Sequence, residues 1–66
     1  MLIILNGQPC ELKQQSTIVD LLKYLHLQDQ RLAVEVNQEV ITRSQHIIYK
    51  LSEGDKVEII QAVGGG

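Results

Sequence analysis

Aromatic side chains are almost missing from this chain: two tyrosines stand among 66 residues, with no phenylalanine and no tryptophan. A binder of single-stranded nucleic acid needs aromatic platforms for its bases, so the composition argues against that class. An excess of positive charge is missing too. Six Lys and Arg stand against eight Asp and Glu, a formal net charge of -2, and no basic run occurs. Nothing here would draw in a phosphate backbone, and no nucleic-acid partner is expected. Long apolar runs are absent: the longest stretches are four or five residues, against roughly 20 for a membrane-spanning helix. No membrane partner is expected. No charged leader or small-residue cleavage site precedes the apolar start, so a cytoplasmic location is expected.

There is one cysteine, Cys10. It has no partner for an internal disulfide, and neither His26 nor His46 stands at ligand spacing from it. It reads as a small hydrophobe on a strand. Catalytic signatures are missing as well. The chain has no phosphate-binding glycine loop, no GxGxxG, no His-Glu-x-x-His, and no recognisable triad around Ser16, Ser44 or Ser52.

What the sequence does contain is a core of Leu, Ile and Val in a length that suits one domain. A domain of this size buries about 60% of the surface that its unfolded chain exposes, so its stability is marginal. Residues 1–5 are a dense run of strand formers, and Asn6-Gly7 is a strong hairpin signal because both central residues of a type I′ turn need positive φ. The return strand is expected over Cys10 to Lys13, with Pro9 near the turn. Ile18, Leu21, Leu22 and Leu25 then fall at i, i+3, i+4 and i+7, one face of a helix expected from Ile18 to about His26. Thr17 and Asp20 form an imperfect capping box at its start. Val34, Val36, Val40 and Ile41 flank a two-residue turn at Asn37-Gln38. Residues 42–50 read as loop with one irregular helical turn. Ser52-Glu53-Gly54-Asp55 is a turn cluster before a last strand, Lys56 to Ala62. One helix with one apolar stripe over a sheet of about five strands is a two-layer α+β domain. Its expected core is Ile3, Leu5, Leu12, Ile18, Leu22, Leu25, Val34, Val36, Val57 and Ile59.

Three of the five glycines are the last three residues, Gly64-Gly65-Gly66, directly after that strand. Taken alone, such a run also fits a frayed end. It gains meaning from the element order before it. The residues that decide are Met1-Leu2-Ile3-Ile4-Leu5-Asn6-Gly7, Thr17-Ile18-Val19-Asp20-Leu21-Leu22, Val34 to Ile41, and Leu51 to Ile60 leading into Val63-Gly64-Gly65-Gly66. Over its whole length the chain resembles the sulfur-carrier family that includes the thiamine-biosynthesis carrier (ThiS) and the small subunit of molybdopterin synthase (MoaD). Its short length and Val-Asn hairpin are more similar to the thiamine branch. Thr42 departs from the proline that the family often carries before Arg43, and Gly64 adds to a minimal Gly-Gly.

The resemblance implies a β-grasp, ubiquitin-like domain over residues 1–62, its first and last strands side by side, and a flexible glycine tail at 63–66. It implies that the Gly66 carboxylate is adenylated by an ATP-dependent activating enzyme, becomes a thiocarboxylate with sulfur from a donor such as a cysteine desulfurase system, and passes that sulfur to a thiazole synthase. Gly64, Gly65 and Gly66 would enter the partners' active sites. The chain would be no enzyme and would hold no cofactor, ATP being used by the partner. Leu2, Ile4, Ile60, Ala62 and Val63 are the expected docking residues, since strand alternation sends Leu2, Ile4, Ile60 and Ala62 to the sheet face away from the helix. A molybdopterin-type carrier, a ubiquitin-like modifier joined to lysines, and a plain binding module remain as alternatives.

Overall fold

The computed structural model describes residues 1–61. β1 (Leu2–Leu5) turns at Asn6-Gly7 into β2 (Gln8–Glu11). Both turn residues have positive φ, 48° and 81°, as a type I′ turn requires. The two-residue turn leaves no loop, so Leu5 pairs directly with Gln8 and β2 starts at Gln8 rather than at Cys10 as expected. Pro9 therefore lies inside the strand. It fits because β2 is an edge strand, and its partner Ile4 sends its N–H the other way, to the Asp55 carbonyl at 2.9 Å.

The helix α1 spans Ile18–Tyr24. Its capping box is complete: the Asp20 N–H donates to Thr17 Oγ1 and the Thr17 N–H donates to Asp20 Oδ2, at 3.2 and 2.9 Å. The Thr17 backbone N–H, then its hydroxyl, hold the Asp20 carboxyl below its ordinary value, with Lys23 adding a smaller effect in the same direction. The lowered value means that this contribution is present above the ordinary carboxylate pKa and is lost as pH falls through the lowered one. The helix ends two residues short of the expected His26. There the His26 N–H donates to the Lys23 carbonyl and the Leu27 N–H to the Leu22 carbonyl, at 3.0 and 2.8 Å, with His26 at φ 60°. This is a Schellman cap with histidine where glycine is usual. Because a left-handed L-residue costs roughly 1–2 kcal/mol and glycine loses part of that advantage to entropy, His26→Gly is expected to stabilise the domain by about 0.5–1 kcal/mol, read as a higher urea midpoint.

After α1 come β3 (Leu32–Val36), β4 (Glu39–Ile41), a 3₁₀ turn at Arg43–Gln45 and β5 (Lys56–Gln61). The sheet order is β2-β1-β5-β3-β4, with β1 and β5 parallel and the other neighbours antiparallel. The first and last strands thus lie side by side, as the β-grasp arrangement demands.

Ile18, Leu21 and Leu22 of the helix join Ile3, Leu12, Val34, Val36, Leu51 and Val57 in one buried cluster. Seven of these nine were expected. Leu5, Leu25 and Ile59 pack against the cluster but are only half-buried, because Leu5 and Ile59 lie where β1 gives way to its turn and Leu25 sits on the helix cap. Leu21 and Leu51 take full burial instead. Leu51 is drawn under the start of α1 by its N–H bond to the Ser16 carbonyl, 2.8 Å, and by the neighbouring Thr17–Lys50 bridge. Cys10 is a free, half-buried thiol packed against the core.

Candidate functional site

The two strands that flank β5 support it over different lengths. β1 pairs with it only at Ile4–Lys56 and Leu5–Val57, whereas β3 follows it to Leu32–Gln61. Past Val57, β1 has entered its turn. The Asn6 N–H donates to the Val57 carbonyl at 2.9 Å, and Asn6 Oδ1 accepts the Ile59 N–H at 2.8 Å. The last residues of β5 project beyond β1 and carry the chain toward position 62.

Ile3, Val34, Val36 and Val57 face the helix and are buried, so alternation places Leu2, Ile4, Ala33, Glu35, Lys56, Glu58 and Ile60 on the opposite face. Leu2 and Ile60 are exposed, 39% and 55%, and Ile4 is half-buried. The expected face is therefore right for all three, but the register divides them. Ile4 stands opposite Lys56, and Ile60, four residues further along β5, lies about 13 Å away along the strand at 3.3 Å per residue. Lys56 and Glu58 come between. A single Leu2–Ile4–Ile60 patch does not form, because parallel β1 and β5 overlap by only two residue pairs.

Ile60 instead has Ala33 as its cross-strand partner, and the two share a shallow depression with Arg31, Leu32 and Gln61. Next along the ladder Glu35 faces Glu58 directly, a like-charge pairing that costs stability. Ala33 and Arg31 escaped notice in the sequence because a lone alanine and a lone arginine carry no periodic signal. Asn6 was legible only as a turn residue. Ala62, Val63, Gly64, Gly65 and Gly66, and the expected division of the chain at 62/63, lie outside the described residues.

Among the described residues no group of His, Cys, Asp and Glu is arranged to hold a metal ion. The two buried polar side chains among the described residues are bonded within the fold: Ser16 Oγ donates to the Lys13 carbonyl at 2.7 Å, and His46 Nε2 lies 3.0 Å from the Ile41 carbonyl. Among the described residues no helix is long and apolar enough to cross a membrane.

Comparison with known proteins bears on the glycine run at 64–66. The ThiS family model matches residues 3–66, and so includes the glycines. The chain belongs to the ThiS family. Within it, the sulfur carrier protein ThiS of Bacillus subtilis is 36% identical over 63 residues, covering 94% of this chain and 96% of that protein. A crystal structure of a thiamine biosynthesis protein, ThiS, from Geobacter metallireducens superposes with a TM-score of 0.85 at 30% identity, covering all of both chains. The β-grasp fold is thus shared with a ThiS structure. A thiazole synthase from Paramagnetospirillum magneticum is 32% identical over all 66 residues of this chain, which span only 20% of that longer protein.

Proposed function

We propose that this ThiS-family chain is a sulfur carrier in formation of the thiamine thiazole, and that Gly66 bears the sulfur. The observation that carries this reading is the family match running unbroken from β1 through Gly66 on a body whose last strand leads into those glycines. The similarity to a segment of a thiazole synthase supports a thiazole synthase as the acceptor. The domain is read as a body over 1–62 with a tail at 63–66, acting in the cytoplasm.

The chemistry follows from the weakness of a carboxylate as an electrophile. A Gly66 carboxylate oxygen attacks the α-phosphorus of ATP on an activating enzyme, and pyrophosphate leaves. The acyl adenylate so formed has AMP as a good leaving group. Hydrosulfide then attacks the acyl carbon, and AMP departs to leave a thiocarboxylate; where a desulfurase-type persulfide attacks instead, the acyl disulfide first formed is cleaved by a thiol, which leaves as a disulfide with the donor cysteine and frees the thiocarboxylate. Glycines suit the tail because a chain without Cβ atoms allows close approach by a partner's active-site walls. Acid–base work, ATP binding and release of sulfur all belong to the partners, so the chain itself is a substrate and no enzyme.

The test is the intact mass after incubation with the activating enzyme, ATP and sulfide. A gain of one oxygen-to-sulfur exchange localised to Gly66 supports the reading. An isopeptide-linked conjugate in its place would identify a modifier, and no change at all would overturn the proposal.

The docking face is proposed to centre on Ile60 and Ala33, beside the tail, with Leu2 and Ile4 as a separate contact further down the sheet and Ala62 and Val63 continuing from Ile60. Ile60→Asp places a charge where an apolar contact is expected. At limiting carrier concentration, adenylation should slow by about tenfold, equal to ~1.4 kcal/mol of lost association. Because Ile60 is 55% exposed, the urea midpoint should barely move. Wild-type adenylation at limiting concentration would show that partners dock elsewhere.

A further inference from the structure

Asn6 and Asn37 occupy equivalent places in two hairpin turns. Each is the first of two central turn residues with positive φ, 48° and 51°, and each directs its carboxamide onto β5. Asn37 holds the start of the strand: its Oδ1 accepts the Lys56 N–H at 3.0 Å, and its Nδ2 donates to Asp55 Oδ1 at 3.0 Å. Asn6 holds the far half, accepting the Ile59 N–H at 2.8 Å.

The two grips differ in what else is present. At Lys56 the strand has β1 on one side, through Ile4. At Ile59 it does not, because β1 has already reversed at Asn6-Gly7. Among the described residues, the Asn6 carboxamide is the only hydrogen-bond partner on that side for the strand beyond Val57; on the other side β3 runs on to Leu32–Gln61. Asn6 thus adds one rung to the β1 ladder after the β1 backbone has turned away. Without that rung, Ile59 to Gln61 would be held from one side alone.

We propose that Asn6 is a positioning residue for sulfur loading: its carboxamide sets the direction in which β5 delivers the tail. The inference rests on the carrier reading above. A stretch of five residues, the number that follows Gln61, spans at most about 17 Å when drawn out fully, so at that reach a swing of about 10° at its base would move the far end by ~3 Å. A misplacement of about 1 Å can cost a reaction ~100-fold. A binding partner recovers part of that loss by gripping the tail itself, so a smaller effect is expected.

The experiment compares Asn6→Gly, which removes the oxygen and tolerates positive φ, with Asn6→Asp, which keeps an acceptor and suits the same turn. Asn37→Gly is the control, since it removes the matched grip at the end of β5 away from the tail. Initial rates of pyrophosphate release by the activating enzyme are measured at a temperature where far-UV circular dichroism shows every variant folded, alongside amide exchange at Ile59. Asn6→Gly should lower kcat about tenfold with KM within about twofold, because the docking face is untouched and only tail placement is impaired. Asn6→Asp should restore kcat to within about threefold of wild type, and Asn37→Gly should leave kcat unchanged. Ile59 exchange should accelerate in Asn6→Gly and stay slow in Asn37→Gly. Asn6→Ser, whose hydroxyl is too short to bridge to Ile59, replaces Asn6→Gly if the Gly-Gly turn does not fold, with the same expectations. A wild-type kcat in the variant lacking the oxygen, an equal fall in Asn37→Gly, or failure of Asn6→Asp to rescue would each overturn the inference. A wild-type chain that supports no pyrophosphate release overturns the carrier reading itself, a result distinct from a loss confined to one variant.

Discussion

Deleting Gly66, or adding one residue after it, should abolish sulfur loading altogether while the domain stays folded. The reactive group in the proposed chemistry is one carboxylate at one distance from the body. Deletion of Gly66 keeps a carboxylate but draws it back by about 3.5 Å, more than the misplacement that costs a well-aligned reaction ~100-fold. An added residue moves the carboxylate outward by the same amount and gives it a side chain unless the addition is glycine. Stability should be unaffected, since the described core ends with Val57 and its neighbour Ile59. The check is intact mass after incubation with activating enzyme, ATP and sulfide, together with an unchanged urea transition. A truncated or extended chain that still exchanges oxygen for sulfur at its end would show that the reacting position is not set by length, and the proposed mechanism would fall.

Leu21→Ala should destabilise the domain by about 2–5 kcal/mol, the range for truncating a buried leucine. Leu21 is 0% exposed and lies in the cluster that joins the helix to Ile3, Val34, Val36 and Val57. A domain below about 70 residues rarely has more than roughly 3–5 kcal/mol from its single core. One cavity under α1 is therefore enough to leave much of the population unfolded at 25 °C. Tyr24→Ala is the matched control on the same helix: Tyr24 is 63% exposed, and its loss should change stability by no more than about 0.5 kcal/mol. Equal urea midpoints for the two variants would mean that α1 does not seat on the sheet through Leu21.

Both variants act on a domain whose local devices were legible to different degrees. The helix was readable from its start because Thr17 and Asp20, three positions apart in the sequence, satisfy each other's backbone, and because the apolar stripe recurs at 3.6-residue spacing. Its end was not, because the Schellman cap uses His26 in a conformation that normally advertises itself as glycine. β2 was misread by two residues since Pro9 looks like a turn residue until the strand is known to lie on an edge, with its missing N–H directed away from β1. Leu51 was overlooked because one leucine in an aperiodic stretch gives no pattern, and only its bond to Ser16 places it beneath the helix.

The docking face was legible in part. Period-two alternation put Leu2, Ile4 and Ile60 on the sheet face away from the helix with no knowledge of the fold. It carried no information on how far β1 and β5 slide along one another, and that offset separates Ile60 from Ile4 and gives it Ala33 as a neighbour instead.

By itself, then, the chain's order of residues determined the order of its elements, the turn chemistry of Asn6-Gly7, the cap of α1, most of the core and the glycine run, since each is written in local spacing or in conformational preferences of single residues. Tertiary structure alone decided the β1–β5 overlap, the pairing of Ile60 with Ala33, the burial of Leu51 and the grip of Asn6 on Ile59. Those four join positions between 27 and 53 residues apart, and contacts between such distant residues are chosen by how the whole sheet and helix pack, which no local pattern encodes.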